Sequence, residues 1–241
     1  MINTILFDLD GTLLPMDDQA FMKVYFEQLA TLGEHFGVEG RTFVKMIWGS
    51  TEQMLVNDGK QSNETCFWNA MEHYLGKDIR DAEPLFEEFY RTRFLQVKQT
   101  TAPTMLANEC VQLLKAKGYT LAIATNPLFP RIATQTRMAW AGLQLDDFAL
   151  VTTYENASFC KPNLSYYQEI LGQLGVTPQQ CMMVGNDVAE DMCVRELGMD
   201  TYLVTDCLIN KKEYPLSSFK QSTLAELKEW LQTLPEAAVH G

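Results

Sequence analysis

Phe7-Asp8-Leu9-Asp10-Gly11-Thr12-Leu13-Leu14 decides how the rest of this chain is read. The apolar run in front of it, Thr4-Ile5-Leu6-Phe7, predicts a buried strand that runs into a glycine turn. Two carboxylates, Asp8 and Asp10, then stand where that strand ends. In a doubly wound parallel sheet, ligands bind outside the carboxyl ends of the strands. The stretch therefore marks both a first strand and a candidate site.

Downstream of Pro103 the pattern alternates. A helix is expected near 105–117, a strand over Tyr119–Ala124 ending at Thr125-Asn126-Pro127, and a helix from Pro130 to Ala141. A short strand over Phe148–Thr153 and a helix over Leu164–Leu174 follow. Cys181–Val184 reads as a strand ending at Gly185-Asn186-Asp187, then a helix near 188–196 and a strand over Thr201–Val204. Thr223-x-x-Glu226 is a capping box opening a last helix. Strands alternating with helices imply an α/β doubly wound parallel sheet, a Rossmann-like core with helices on both faces.

Residues 17–98 break this alternation with helical periodicity alone. Phe21, Val24, Tyr25, Leu29 and Leu32 share one stripe; Phe86, Phe89, Tyr90, Phe94 and Val97 share another. With helices expected around 43–55 and 67–75, this block reads as a four-helix unit. The expected organisation is a core domain made of 1–14 and 102–241 and an inserted helical cap domain of 15–101.

Composition narrows the function. The 241 residues carry 19 Lys and Arg against 31 Asp and Glu, a net charge of −12. That balance excludes a nucleic-acid binder, which needs a basic face, and opposes docking on anionic membranes. No apolar run approaches the roughly 18 residues of a membrane helix. The start, which meets Asp8 at once, does not resemble a signal peptide. Six scattered cysteines form no zinc-type spacing and read as reduced thiols of a cytoplasmic protein. The three histidines, His35, His73 and His240, stand beside no nucleophile signature.

Four strand tips carry polar chemistry: Asp8 and Asp10; Thr125 and Asn126; the loop holding Lys161-Pro162; and Asp187 with Asp191 four residues on. Carboxylates gathered in one crevice repel one another and call for a cation. An oxygen-only donor set without His or Cys suits a hard ion such as Mg²⁺.

The order Asp-x-Asp-Gly-Thr, Thr, Lys, Asp-x-x-x-Asp resembles the haloacid dehalogenase superfamily, over the span 7–191. The cap position resembles the helical C1 type found in phosphoglycolate phosphatase and β-phosphoglucomutase relatives. The resemblance implies Asp8 as nucleophile forming an aspartyl phosphate, and Asp10 as general acid and then base, with its backbone carbonyl on Mg²⁺. It implies Thr125 and Asn126 as phosphate-binding groups, Lys161 as the cation on nucleophile and phosphoryl group, and Asp8, Asp10 and Asp187 as metal ligands. Asp191 falls in the metal's first or second shell. The fourth motif departs from the family by one extra residue, so Asn186 and Asp187 compete for the ligand position. Asp187 is preferred because it keeps the four-residue step to Asp191 and is charged. Cys160 stands before Lys161 where glycine is common. The namesake dehalogenases resemble Asp-x-Tyr at the first motif; Asp10 here favours phosphoryl transfer.

The expected activity is Mg²⁺-dependent hydrolysis of a small soluble phosphomonoester. The alternatives are a phosphomutase with the same residues and, less favoured, a binding protein on this scaffold. The cap segment has 9 basic and 14 acidic residues and no concentrated cationic patch, and its sequence does not choose a substrate. Monomer and small homo-oligomer are equally compatible. Plainer readings cover the rest: Cys160, Trp48, Trp68 and the Phe86–Phe94 stripe as packing, Lys211-Lys212 as a solvated loop. Met16 and Asp17 sit where a hinge could meet substrate.

Overall fold

The computed structural model describes residues 2–237; Met1 and 238–241, with His240 and the outer ends of the expected core, lie outside them. Six strands form one sheet: β1 (Thr4–Phe7), β2 (Thr120–Ile123), β3 (Leu150–Val151), β4 (Cys181–Gly185), β5 (Asp200–Val204) and β6 (Lys220–Ser222). Every ladder is parallel. The order is β3-β2-β1-β4-β5-β6. The chain winds outward from β1 to β3, then crosses back to β4 on the other side of β1. The switch point of the sheet therefore lies between the tips of β1 and β4, where an open α/β sheet binds its ligands.

The central strands are apolar on both faces because both are covered. Ile5, Phe7, Leu121, Ile123, Met182 and Val184 point into one core layer. It is shared with α5 (Met105–Ala116) and α8 (Leu224–Thr233). Their neighbours Leu6, Ala122, Ala124, Cys181 and Met183 point into the other, against α7 (Leu164–Leu174). This two-residue alternation is the pleat of the strand at work. The capping box at Thr223 and Glu226 opens α8 as the spacing predicts.

Two expectations for the core need correction. The helix expected near 188–196 is a single short 3₁₀ segment, Met192–Leu197. The Asp187 carboxylate accepts the N–H groups of Ala189 and Glu190 at 2.7 and 3.0 Å, and this local turn displaces the first helical turn. The strand expected over 148–153 pairs only at Leu150–Val151. Beyond it, Asn156 Oδ1 takes the Thr153 N–H at 2.8 Å and ends the ladder. Strand β6 was not expected at all.

The helical block holds α1 (Asp18–Ala30), α2 (Gly40–Leu55), α3 (Asn63–Leu75) and α4 (Glu83–Arg91), followed by a 3₁₀ segment, Arg93–Thr100. Phe21, Tyr25, Phe43, Trp68, Phe86, Phe89 and Phe94 form its buried core. Trp48 departs from the expected packing role: it is 45 % exposed, and its indole N–H donates to Glu52 at 2.9 Å. The two connections to the sheet run side by side, Ala102 N–H donating to Pro15 O at 2.7 Å and Asp17 N–H to Thr100 O at 3.1 Å. A second attachment joins the start of α3 to the loop after β3, through Asn63 N–H to Ala157 O (2.9 Å) and Glu64 N–H to Tyr154 O (2.8 Å). The helix α6 (Arg131–Trp140) lies between both parts, with Met138 in the sheet core and Ala133 in the helical core. Among the described residues no helix is long and apolar enough to cross a membrane.

Candidate active site

Asp8 leaves the sheet while its backbone is still held by it, its N–H donating to Val184 O at 2.9 Å. The chain then turns at once: Leu14 N–H donates to Leu9 O and Gly11 N–H to Leu14 O, both at 2.8 Å. Gly11 makes the turn possible. Its φ is +78°, and a Cβ there would sit 2.3 Å from the Asn186 side-chain nitrogen. Thr12 stands behind Asp8, its hydroxyl 3.2 Å from Asp8 Oδ2 and 3.0 Å from Asn186 Oδ1.

Lys161, from the loop between β3 and α7, is fully enclosed. Its Nζ donates to Asp8 Oδ1 at 2.9 Å and to Asp191 Oδ1 at 2.6 Å. Asp191 turns back along the strand because Gly185 has no side chain; a Cβ there would lie 2.2 Å from Asp191 Oδ2. The other Asp191 oxygen accepts the Asp187 N–H at 2.9 Å. Burial alone would lower the Lys161 ammonium, but Asp191 and Asp8 outweigh it and hold it well above the ordinary lysine value. Burial pushes Asp8 up to about 8, opposed by Lys161 and reinforced by Asp191 and Asp10.

Thr125 and Asn126 follow β2. The Thr125 carbonyl is fixed by the Tyr166 and Thr152 hydroxyls, each at 2.8 Å. Asn126 donates to Glu190 at 3.2 Å, and its own Oδ1 is buried without a partner. Asn186 is buried and bonded at both ends, to Thr12 and to Cys207 O, so its amide serves the backbone around it. Asn186 and Asp187 both line the cleft. The structure thus brings Asp8, Asp10, Thr125, Asn126, Asp187 and Asp191 to one cavity of about 370 Å³, with Lys161 bonded to its floor.

Two residues of the site were missed by sequence reasoning. Glu190 lines the cavity, and burial raises its carboxyl to about 7, opposed by Lys161 and reinforced by Asp191 and Asp187. Arg137, on α6, forms an ion pair with Asp10 Oδ2, with side-chain exposures of 1 % and 25 %. Its guanidinium lies 4.4 Å from the centre of the Phe129 ring. Asp10 Oδ1 is buried without a partner. The signal was present: Arg137 follows Ala133 and Thr134 by four and three residues on the inward stripe of α6, where an arginine is unusual.

Lys211, expected as a solvated loop residue, is exposed but lines the cavity rim, as does Met16; Asp17 instead caps α1 through Ala20 N–H at 3.0 Å. Cys160 packs as expected, its thiol pushed up to about 12 by burial.

The donor set suits a hard cation in kind: Asp8 and Asp187 carboxylates and the Asp10 carbonyl, with neither His nor Cys. Burial raises Asp8, Glu190 and Asp18, opposed by Lys161 at Asp8 and Glu190. Among the described residues no three acidic, His or Cys side chains converge as a complete metal cage. An ion that keeps several waters and is bound through one or two carboxylates, as Mg²⁺ is, fits such a site.

Comparisons with known proteins agree with this architecture. The family model described as haloacid dehalogenase-like hydrolase matches residues 2–192. YhcW of Bacillus subtilis (strain 168), which carries a provisional phosphatase name, is 21 % identical over 238 residues, 97 % of this chain and 99 % of that protein. Glyceraldehyde 3-phosphate phosphatase of Methanothermobacter thermautotrophicus is 33 % identical over 92 residues, covering 38 % of this chain and 39 % of that one. Among solved structures, 2-haloacid dehalogenase from Pseudomonas syringae pv. Tomato DC3000 superposes with a TM-score of 0.61 at 22 % identity, over 96 % of this chain and 98 % of that one. A family match that spans both polar ends of the sheet's switch point, Asp8 and Asp187, settles the membership: the chain belongs to the haloacid dehalogenase-like hydrolases.

Proposed function

We propose that this protein is a phosphatase that hydrolyses a small phosphate monoester, with Asp8 as nucleophile and Mg²⁺ held by Asp8, Asp187 and the Asp10 carbonyl. The observation that carries the reading is the Lys161 ammonium bridging Asp8 and Asp191 at the switch point of the sheet, with Asp10 two residues beyond the nucleophile. The phosphatase names of two relatives support it.

In this reading an Asp8 oxygen attacks phosphorus. The bond from phosphorus to the alcohol oxygen breaks as the Asp8–phosphorus bond forms. Asp10, its Oδ1 left free by Arg137, is placed to pass a proton to the departing alcohol oxygen and to take one from the water that attacks the aspartyl phosphate. Phosphate leaves and Asp8 is restored. Lys161 and the Thr125 hydroxyl hold charge on the phosphoryl oxygens. When bound, Mg²⁺ supplies Lewis-acid neutralisation of the same oxygens. The helical block of 15–101 serves as the cap that keeps bulk water from the reaction. A mutase would have to hold a second phosphoryl group. Among the described residues lining the cavity, the cations are Arg137, engaged by Asp10, and Lys211 at the rim.

The test is phosphate release from a panel of monoesters with Mg²⁺ and with EDTA, for the wild type and Asp8→Asn. Metal-dependent release abolished by Asp8→Asn is expected. Undiminished release by Asp8→Asn refutes the assignment of the nucleophile.

A further inference from the structure

The cavity above Asp8 has two chemically different ends. Its floor is the acidic cluster with Thr125. Its walls are aromatic and aliphatic: Phe21 and Phe26 from α1, Ile47 and Trp48 from α2, and Phe129 from the loop after β2. The polar handles of this wall are already engaged elsewhere. The Trp48 indole N–H is taken by Glu52, and the nearby Tyr25 hydroxyl by Tyr90 at 3.1 Å. Arg137 presents its guanidinium to Phe129 and Asp10 rather than to a ligand.

These walls discriminate by chemistry. A polyol phosphate brings several hydroxyls, and each one buried without a hydrogen-bond partner is penalised. A phosphorylated carboxylic acid brings a second anion into a cavity lined by Asp10, Asp18, Asp187 and Glu190, against which stand Lys211 at the rim and Arg137, already paired with Asp10. A ring or alkyl chain needs neither donors nor charge. It gains from leaving water, and a flat ring gains further by packing on Phe26, Trp48 and Phe129. The volume, about 370 Å³, is at the small end of ligand cavities, which run from roughly 300 to 1,000 Å³. It suits a phosphoryl group with one or two rings or a short chain.

We propose that the preferred substrate is the monophosphate of an aromatic or aliphatic alcohol, its apolar part held between the α1–α2 wall and Phe129. This inference rests on the phosphatase reading and specifies its substrate class. The sequence of the cap did not reveal it, because the wall residues come from three separate segments.

The experiment compares kcat/KM, with Mg²⁺, for 2-phenylethyl phosphate and hexyl phosphate against glycerol 1-phosphate and phosphoglycolate. All four are esters of primary alcohols, which limits differences in leaving-group chemistry. The apolar esters are expected to be favoured by about tenfold or more. Trp48→Ala and Phe26→Ala are expected to narrow that preference severalfold, chiefly through KM. Trp48 is half-exposed, so its truncation spares the fold. Equal or better turnover of the polar esters overturns the inference and leaves the phosphatase reading standing. So does a preference that neither variant changes. Failure to release phosphate from any of the four, or from a broader panel, overturns the phosphatase reading and this inference with it.

Discussion

Replacing Asp10 with Asn strands the Arg137 guanidinium. That group is 1 % exposed, and Asp10 is its ion-pair partner; its remaining contacts are weak, a 3.3 Å bond to Thr134, a 3.4 Å bond to Ala133 O and the Phe129 ring. Removing one member of a buried pair typically costs about 3–5 kcal/mol, because the survivor stays charged and unsolvated. Asp10 is a quarter exposed, which places the expected loss near the lower end, about 3 kcal/mol. For a chain of this size that is a fall in Tm of roughly 6–12 °C. Arg137→Met leaves Asp10, a quarter exposed, rather than a closed cation, so it costs less, about 1–2 kcal/mol. The double variant Asp10→Asn/Arg137→Met removes both charges and is expected to recover most of the loss seen in Asp10→Asn. Thermal melts followed by circular dichroism in EDTA test the set as a double-mutant cycle. A melt of Asp10→Asn within about 2 °C of the wild type refutes the reasoning. A double variant no more stable than Asp10→Asn does the same.

Two further outcomes follow from the geometry. Gly185→Ala places a methyl group on Asp191, which must move away from Lys161; about 1–3 kcal/mol of stability and most of the phosphate release are expected to be lost. Gly172→Ala, with open space around it in α7, is its control and is expected to be neutral or slightly stabilising by urea unfolding. Glu190 titrates near 7 in the folded protein against 4.5 unfolded, so between these values the native state holds a proton that the unfolded chain has lost. The stability it contributes is present below pH 4.5 and is lost as pH rises through 7. Glu190→Gln in EDTA should therefore gain on the wild type between pH 5 and pH 8, by on the order of 2 kcal/mol, and an unchanged difference across that range contradicts the assignment.

The elements read well where sequence pattern and burial agree. Ile5, Leu6 and Phe7 are enclosed on both faces, and a strand so placed has no polar position to blur its signal. Strand β6 escaped for the opposite reason: Lys220-Gln221-Ser222 is an edge strand, polar and largely exposed. The segment after Asp187 has helical spacing, but a side-chain turn satisfied its backbone first. At the site, Asp8, Thr125, Lys161 and Asp191 were legible because strand tips in this topology converge whatever their separation along the chain. Arg137 was hidden because arginines are mostly solvated, and nothing in a linear reading says that α6 turns this one inward.

The buried cations Lys161 and Arg137 explain why neighbouring acids demand different handling. Lys161 has two carboxylates, Asp8 and Asp191, so Asp8→Asn leaves it paired. Arg137 has Asp10. Burial also raises Asp8 far above an ordinary carboxylate, so its ionised form is disfavoured in the folded state and a neutral amide there costs little. Asp8→Asn should therefore melt close to the wild type while losing activity, whereas Asp10→Asn should lose both. A loss of turnover in Asp10→Asn bears on the proton-transfer role proposed for Asp10 only after the melting curve shows how much of the protein is folded at the assay temperature. If Asp8→Asn instead melts far below the wild type, Lys161 depends on Asp8 more than on Asp191, and the shorter bond to Asp191 does not set the balance of the site.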